Sequence, residues 1–338
     1  MRRACSRLLR ERVCPSVTSQ GRVLTSSDAN VGKVLITGVV GPLGRLLAER
    51  LSLTMDVCGV DTRRWKGSHP DIRLHRVDLR KRQFEDLLRT ERPDAVVHMG
   101  FVRHFDRGDR VRHDVNVRGT KQLLDHCVKY GVRKVVVFSS SAVYGAFPEN
   151  PYGMDEDCPI SASRSYPEIR DQVEVDALAS AFLWQHQEIE TVVLRPVNAL
   201  GPEMGSMMSS YLKLPGVPTV MGFDPVVQFI GQADLLDALE IAVAQPLSGV
   251  FNVVGAGQVP IHTAIQAIGA RAWPIPGPLF NAVCRQLFAL KLWHYPSGAV
   301  DYLRYPVCLS GSRFEEATGF RPKVSLSEMF DSIRHPAR

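Results

Sequence analysis

Three glycines in the segment TGVVGPLG, Gly38, Gly41 and Gly44, have the spacing of a phosphate-binding turn. The segment follows a short apolar run and opens a stretch with helical periodicity, which is the context that such a turn requires. Gly38 permits the tight turn, Gly41 lets the backbone approach a pyrophosphate, and Gly44 lets the helix pack closely. Pro42 and Leu43 are predicted at the helix N-terminus, which favours anions. The alternative is a plain strand–turn–helix connection.

A carboxylate follows at the end of the next apolar run. Asp61 lies 23 positions after Gly38, where a carboxylate accepts hydrogen bonds from ribose hydroxyls and repels a 2′-phosphate. This placement favours NAD over NADP, although Arg63 and Arg64 follow directly and are able to reach a phosphate. Asp78, after the third run, is predicted to meet the adenine. Its alternative role is the N-cap of the next helix.

The chain from residue 33 onward alternates short apolar runs with amphipathic stretches. The runs begin at Val34, Asp56, Arg73, Asp94, Lys134 and Thr191. The helical stretches cover about 43–53, 83–89, 111–130 and 168–187. This alternation predicts a parallel sheet with right-handed crossovers. The expected fold class is α/β, a Rossmann-type doubly wound parallel sheet with a smaller C-terminal substrate lobe.

The expected organisation has three parts. Residues 1–32 form a basic tail, for which disorder is the simplest expectation. An organelle transit peptide and a contact with anionic surfaces are the alternatives for that tail. Residues 33–200 form the NAD-binding Rossmann domain. Residues 201–338 form the substrate lobe, with some return of the chain to the sheet.

The net charge and the cysteine pattern of the sequence restrict the classes of binding partner and of site that are expected. The net charge is +6; six arginines and two acidic residues precede Gly32, so this tail carries +4 and the rest +2. A nearly neutral body gives no electrostatic basis for nucleic acid as a partner. The seven cysteines are scattered and form no C-x-x-C pair, which argues against a disulfide framework and a metal site. Reduced thiols, and no apolar run long enough for a membrane span, indicate a cytoplasmic protein.

Seven segments in this order resemble the extended short-chain dehydrogenase/reductase superfamily, and within it the NAD-dependent epimerase/dehydratase group, which includes UDP-glucose 4-epimerase. They are TGVVGPLG, VDLR, VVHMGF, NVRGT, FSSSAVYG, LRPVNALGP and TGFRPKVSL. The resemblance implies an oxidoreductase or epimerase that moves a hydride between nicotinamide and a substrate carbinol or carbonyl. It also implies a small-molecule substrate and a homodimer formed through the long helices near 111–130 and 168–187.

The same resemblance implies a set of cofactor and substrate contacts. Beside the glycine turn and Asp61, the implied cofactor contacts are Asp78, Leu79, Met99, Gly100, Phe101, Arg103, Asn116 and Pro196. Asn116 matches the asparagine that kinks a helix in the family. Ser141 and Asn198 match positions near the substrate.

The acid/base residue of the family is the tyrosine of a Y-x-x-x-K motif, which Tyr166 matches, but the lysine position holds Arg170. A cation one helical turn from the phenol lowers its pKa from about 10 and binds the nicotinamide ribose. Arginine supplies a cation, but its guanidinium is larger, planar and always charged. The alternatives are a cleft tyrosine with no proton role and a surface arginine paired with Glu174.

The resemblance implies that Ser140 donates a hydrogen bond to a substrate oxygen, because it lies four residues before the tyrosine of V-Y-G. Its alternative role is to satisfy backbone groups at the end of a strand. The frame of the catalytic helix is also open, since a shift by two residues would place Glu168 and Gln172 in the two roles. That frame would leave no acid/base pair.

The substrate is less well specified. Relatives that act on nucleotide sugars carry an arginine and a histidine in a segment matched here by VQFIGQAD, where Val227 and Gly231 stand instead. Arg271 or Arg304 could replace the missing diphosphate clamp. The apolar stretch 273–302 is expected to be a lid helix, with an apolar pocket or a peripheral membrane contact as alternatives. A dinucleotide-binding regulatory protein with little or no turnover is the alternative function.

Overall fold

The fold is built on parallel strands, most of which are apolar on both faces, whereas the edge strand Ile72–Arg76 is largely exposed. The structure is a computed structural model that describes residues 31–65, 67, 69–102, 109–166, 169–214, 216–289 and 297–335. Within these residues, seven strands form one parallel sheet in the order β10-β6-β5-β4-β1-β2-β3. They are β1 (Lys33–Thr37), β2 (Asp56–Asp61), β3 (Ile72–Arg76), β4 (Ala95–His98), β5 (Lys134–Phe138), β6 (Glu190–Pro196) and β10 (Gly249–Val253). The predicted α/β fold with a Rossmann-type parallel sheet is confirmed.

The order of the strands creates one switch point. The chain runs outward from β1 through β2 to β3, then returns so that β4 pairs with the other side of β1. The connections that leave β1 and β4 therefore diverge, and a crevice opens between them at the carboxyl ends of the strands. Ligands of open α/β sheets bind in this crevice.

Helices cover both faces of the sheet. In β1, Val34 and Ile36 face one core and Leu35 faces the other. The first core is covered by α1 (Pro42–Leu51) and α7 (Gln232–Ala244), and the second by α2 (Arg82–Glu91), α4 (Gly119–Lys129) and α5 (Arg170–Gln185). Each fully buried aliphatic side chain stabilises the fold by about 1.5–3 kcal/mol. Burial on both faces explains the continuous apolar runs of the sequence.

A π-helical turn interrupts the helix that precedes β5. α3 (Asp109–His113) continues through the π-helical turn Asp114–Arg118 into α4. Asn116 is fully buried in this turn, and its side-chain amide binds both the N–H and the carbonyl of Val102. An asparagine that anchors a neighbouring loop from inside a helix accounts for the local widening.

Most of the remaining elements form a smaller lobe. They are β7 (Asn198–Leu200), α6 (Met207–Leu212), β8 (Gly216–Val220), β9 (Val226–Gly231), β11 (Gln258–Pro260), α8 (Ile261–Ala267), β12 (Arg271–Ile275), α9 (Gly277–Ala289) and α11 (Leu326–Arg334). The helix α10 (Ser312–Thr318) instead packs on β10 and places Phe314 in the first core. β11, β9 and β7 form one small sheet, and β12 pairs with β8. The third core of the protein lies here and includes Tyr211, Phe229 and Phe280. Among the described helices, none has the length and apolar character needed to cross a membrane.

Candidate cofactor and active site

The glycine turn lies at the switch point, directly after β1. Gly38 has φ +74, and a Cβ on it would lie 2.7 Å from the Cα of Gly100. A Cβ on Gly44 would lie 2.6 Å from the carbonyl oxygen of Gly38. Gly41 is different, because its backbone is extended and its Cβ would meet that carbonyl at 3.2 Å. The fold itself therefore requires Gly38 and Gly44, whereas Gly41 leaves a bare backbone that a ligand can approach.

The first turn of α1 suits an anion. Pro42 occupies its first position, where the missing N–H costs no helical hydrogen bond. The fully described first turn carries no acidic residue, so its positive dipole end is not neutralised locally. Leu43 is half-buried against the first core. The bare Gly41 backbone and the helix N-terminus together fit a pyrophosphate.

Asp61 ends β2 beside this turn, as predicted, and is buried. Its Oδ1 accepts hydrogen bonds from the backbone N and the Nε of Arg63, at 2.9 and 3.0 Å. Its Oδ2 accepts from Val40 N at 3.1 Å and from Arg63 Nη2 at 2.9 Å. Burial alone would raise the pKa of the carboxyl, but the hydrogen bonds and charge of Arg63 outweigh it and lower that pKa. Asp61 is therefore ionised and already fully hydrogen-bonded.

Asp78 is held by its neighbour in sequence. Arg80 donates to it from its backbone N, Nε and Nη2, and also contacts Asp114. These bonds lower the pKa of Asp78. The N-cap of α2 is Lys81, so Asp78 does not have the capping role that the sequence left open. Its contact with adenine remains a prediction.

A buried polar chain connects the glycine turn with the π-helical turn. His98 Nδ1 lies 2.7 Å from Thr37 Oγ1, and its Nε2 lies 2.8 Å from Thr120 Oγ1. Thr37 Oγ1 accepts from Gly100 N, and Thr120 Oγ1 donates to the carbonyl of Asn116. Burial lowers the pKa of His98 to about 4, so the ring is neutral at neutral pH. Sequence analysis did not predict this series of buried hydrogen bonds. The signal that could have indicated it is a histidine at the end of an apolar run.

The other predicted cofactor contacts lie at several strand ends. Leu79 follows β3, Met99 and Gly100 follow β4, and Pro196 ends β6. Phe101 is 36% exposed. Arg103 lies outside the described residues.

Ser140 and Tyr166 come together through a second tyrosine. Ser140 follows β5, and its Oγ accepts from Ala142 N at 3.2 Å, the local role that the sequence left open. Tyr166 is buried and meets the ring of Tyr302 edge-on, with ring centres 6.0 Å apart. The hydroxyl of Tyr302 donates to the carbonyl of Ala142 at 2.5 Å. Tyr302 therefore contacts both the Ser140 turn, which includes the buried Ser141, and the aromatic ring of Tyr166.

Arg170 lies on the protein surface. It is the first residue of α5, its side chain is 66% exposed, and its Nε donates to Glu174 at 2.7 Å. Glu174 also contacts His113 Nε2 at 2.8 Å. The prediction that Arg170 lies one helical turn from Tyr166 required a single helix that contains both residues. In the structure, α5 begins only at Arg170. Tyr166 directly precedes a proline in the sequence, and a residue in that position avoids helical geometry, which is consistent with its place outside α5.

Of the two residues of the shifted frame, only Gln172 lies in the described part of the chain. Gln172 lies within α5 and is half-buried, and Glu168 is outside the described residues. The structure therefore favours the surface ion pair of Arg170 with Glu174 over a contact with the phenol.

A buried ionic network supports the Ser140 turn. Arg195 on β6 donates to both oxygens of Asp176 on α5, at 2.9 and 2.6 Å. Asp176 also accepts from Ser139 Oγ at 2.5 Å, and Arg195 donates to the hydroxyl of Tyr144 at 2.9 Å. Tyr144 donates to Asn252 on β10, and burial raises its pKa to about 12. The network joins β5, β6, β10 and α5, and sequence analysis did not find it.

The substrate side carries no clamp at the two positions that the sequence singled out. Val227 is buried in the third core, and a Cβ on Gly231 would lie 2.8 Å from Val324. Neither position has room for a larger polar side chain that faces a ligand. Arg304 is bound to Asp301 and Asn281, while Asn198 donates to the carbonyl of Gln228 at 3.3 Å.

The fold and this turn define a dinucleotide-binding Rossmann protein. Residues 34–253 match the NAD dependent epimerase/dehydratase family. The chain belongs to this family, and the prediction of the family and of NAD as its cofactor is confirmed.

Two relatives show the range of similarity. An uncharacterised protein of Mycobacterium tuberculosis is 30% identical over 308 residues, which cover 88% of this chain and 82% of that protein. UDP-glucose 4-epimerase of Vibrio cholerae is 23% identical over 318 residues, covering 88% and 93%.

Solved structures share the fold. UDP-glucose 4-epimerase of Thermus thermophilus, in complex with NAD, has a TM-score of 0.69 at 22% identity and covers 90% of this chain and 100% of its own. A dTDP-glucose 4,6-dehydratase of Streptomyces venezuelae, with NAD bound, has a TM-score of 0.69 at 20% identity and covers 89% and 97%.

Proposed function

We propose that this protein is an NAD-dependent oxidoreductase or epimerase that acts on the carbinol or carbonyl of a small molecule. The observation that carries the proposal is the contact of Tyr302 with both Tyr166 and the turn of Ser140, two strands away from the glycine turn at the same sheet edge. NAD supplies the hydride acceptor or donor at its nicotinamide ring. The protein supplies the groups that hold the substrate oxygen and move its proton.

In this proposal Tyr166 Oη takes the hydroxyl proton of the substrate during oxidation and returns it during reduction. Ser140 Oγ donates a hydrogen bond to the same substrate oxygen while it still accepts from Ala142 N. Tyr302 positions Tyr166 through the ring contact. Arg170 supports the reaction only if its guanidinium leaves Glu174.

The substrate class is the less defined part of the proposal. The UDP-glucose 4-epimerases and the dTDP-glucose 4,6-dehydratase named above are nucleotide-sugar enzymes by name, and the same substrate class is a candidate here. Val227 and Gly231 are closed to a diphosphate clamp, which favours a sugar held by other groups or an apolar alcohol. Both classes belong in the substrate panel.

We also retain the homodimer as a proposal. Three large apolar side chains are exposed on the helices that were expected to pair: Val111 on α3, Val128 on α4 and Trp184 on α5. Exposed apolar residues on neighbouring helices are typical of a subunit interface.

The second candidate is a dinucleotide-binding regulatory protein with little or no turnover. The specific observation in its favour is that Arg170, at the cation position of the family motif, binds Glu174 on the surface.

The test is turnover by the purified full chain. NAD is mixed with nucleotide sugars and with apolar secondary alcohols, and absorbance at the NADH band is followed; epimerisation is followed by chromatography of the products. Turnover that Tyr166→Phe abolishes supports the enzyme. The matched control is Tyr152→Phe, because Tyr152 is 70% exposed and its variant should keep full activity. Tight NAD binding with no turnover on any substrate supports the regulatory protein instead.

A further inference from the structure

We infer that the adenosine end of the cofactor site also accepts NADP, and that Arg63 is the residue that determines this. The inference concerns cofactor choice and rests on the dinucleotide site of the proposed function, not on turnover. Its basis is the way in which Arg63 holds Asp61 and the charge of the pocket around them.

The first step is the state of the carboxylate. An ionised carboxylate has about four acceptor positions, and Asp61 already receives four hydrogen bonds, three of them from Arg63. Two of the four come from the guanidinium. Ribose hydroxyls can therefore bind Asp61 only if this guanidinium moves away, and its departure frees the two positions that the 2′- and 3′-hydroxyls need.

The second step is the charge that a 2′-phosphate would meet. An isolated carboxylate at this position repels the phosphate, which is how it selects NAD. Here the carboxylate of Asp61 is paired with a guanidinium on both oxygens. The pair is close to neutral, so the repulsion that normally excludes NADP is largely cancelled.

The third step is the pocket itself. A pocket of about 210 Å³ opens beside Asp61. Among its described lining residues, three arginines (Arg63, Arg64 and Arg76) stand against the one carboxylate, Asp61. Guanidinium groups bind phosphate in a bidentate manner. The net positive charge of the lining favours a phosphate at the 2′ position of the ribose, where NAD carries no phosphate.

The fourth step is the ease of the exchange. The side chain of Arg63 is 60% exposed, so its guanidinium can turn into solvent, provided that other donors replace its hydrogen bonds to the buried carboxylate of Asp61. With NAD, Arg63 turns outward and the ribose hydroxyls take its place on Asp61. With NADP, Arg63 remains at Asp61, shields its charge and contacts the 2′-phosphate together with Arg64.

The experiment measures binding, not activity. Dissociation constants for NADH and NADPH are determined by nicotinamide fluorescence at fixed ionic strength, for the wild-type chain, Arg63→Gln and Arg89→Gln. The last variant is the control for lost charge, because Arg89 is an exposed arginine on α2 whose guanidinium pairs with Asp86. Thermal unfolding verifies that each variant is folded.

The wild-type protein is expected to bind NADH and NADPH with constants within about tenfold of each other. Arg63→Gln should weaken NADPH by at least about tenfold and leave NADH unchanged or tighter, while Arg89→Gln should change neither beyond about twofold. A wild-type preference for NADH greater than about tenfold overturns the inference, and so does an Arg63→Gln variant that behaves like Arg89→Gln. Binding of NADH alone leaves the proposed function standing, whereas no binding of either nucleotide refutes both.

Discussion

Acid should destabilise this protein through His98. The ring is 4% exposed and lies between two threonine hydroxyls. Burial holds its pKa at about 4, against an ordinary value of 6.5. Below pH 6.5 the unfolded chain therefore binds a proton that the folded protein takes up only near pH 4. The contribution of neutral His98 to the free energy of unfolding is fully present above pH 6.5. It decreases progressively as the pH falls below 6.5, and its loss is complete once the pH has fallen through about 4.

The size of this effect follows from the two pKa values. At about 1.4 kcal/mol per pH unit, the gap between 6.5 and about 4 corresponds to about 3 kcal/mol in total. Between pH 7 and pH 5 the same linkage predicts a loss of about 2 kcal/mol from this one residue. For a protein whose total stability is about 5–15 kcal/mol, such a loss is readily measured.

The assay is urea unfolding at pH 7, 6 and 5, for the wild-type protein and for His98→Asn. The variant loses stability at pH 7 because it loses packing and hydrogen bonds, but its stability should fall less steeply with acid. The difference between the two losses isolates His98, since the other titrating groups are shared. Equal losses in the two proteins would refute the reasoning. If the variant does not fold, NMR of the labelled wild-type ring replaces it, and titration of His98 near pH 6.5 would be the refuting result.

Two further predictions concern stability. Arg195→Met should lower the free energy of unfolding by about 3–5 kcal/mol, because it leaves the buried carboxylate of Asp176 without its cation. Arg170→Gln, the surface control, should change the free energy of unfolding far less, because its ion pair is exposed to solvent. Urea unfolding that ranks the two variants equally would contradict the network. Gly131→Ala should lower the free energy of unfolding by about 1–2 kcal/mol, because the φ of Gly131 is +68°. No steric clash adds to this cost, since nothing lies within 4 Å of the new Cβ. Gly38→Ala adds a clash at 2.7 Å to a similar φ, so a cost no larger than that of Gly131→Ala would argue against the tight turn.

The fold could be predicted from local pattern because its strands are buried on both faces. Runs such as VLIT and DVCGVD leave little choice but a parallel sheet, and β1 and β2 form where these runs lie. The glycine turn was equally predictable, because its geometry depends on residues only a few positions apart. The structure adds which glycines the fold itself needs.

The active site was less predictable because it depends on where one helix begins. The sequence places Arg170 four residues after Tyr166, but α5 starts at Arg170, so the two residues do not share this helix. His98 and Asp176 were missed for another reason, since their partners lie on other elements far along the chain. Such long-range polar pairs leave no periodic signal in a single sequence.

The central claim is that the glycine turn binds a dinucleotide, and Gly41 tests it most directly. Its backbone is extended, which alanine also adopts, and the added Cβ would meet only the Gly38 carbonyl at 3.2 Å and Arg63 at 3.8 Å. Calorimetry with NAD should therefore show binding by the wild-type chain, and binding at least about tenfold weaker by Gly41→Ala. Because alanine is a poorer N-cap than glycine, the unfolding midpoint of this variant should fall slightly, but the variant should remain folded. No heat with millimolar NAD or NADP for the folded wild-type protein, or equal binding by the variant, would contradict the account.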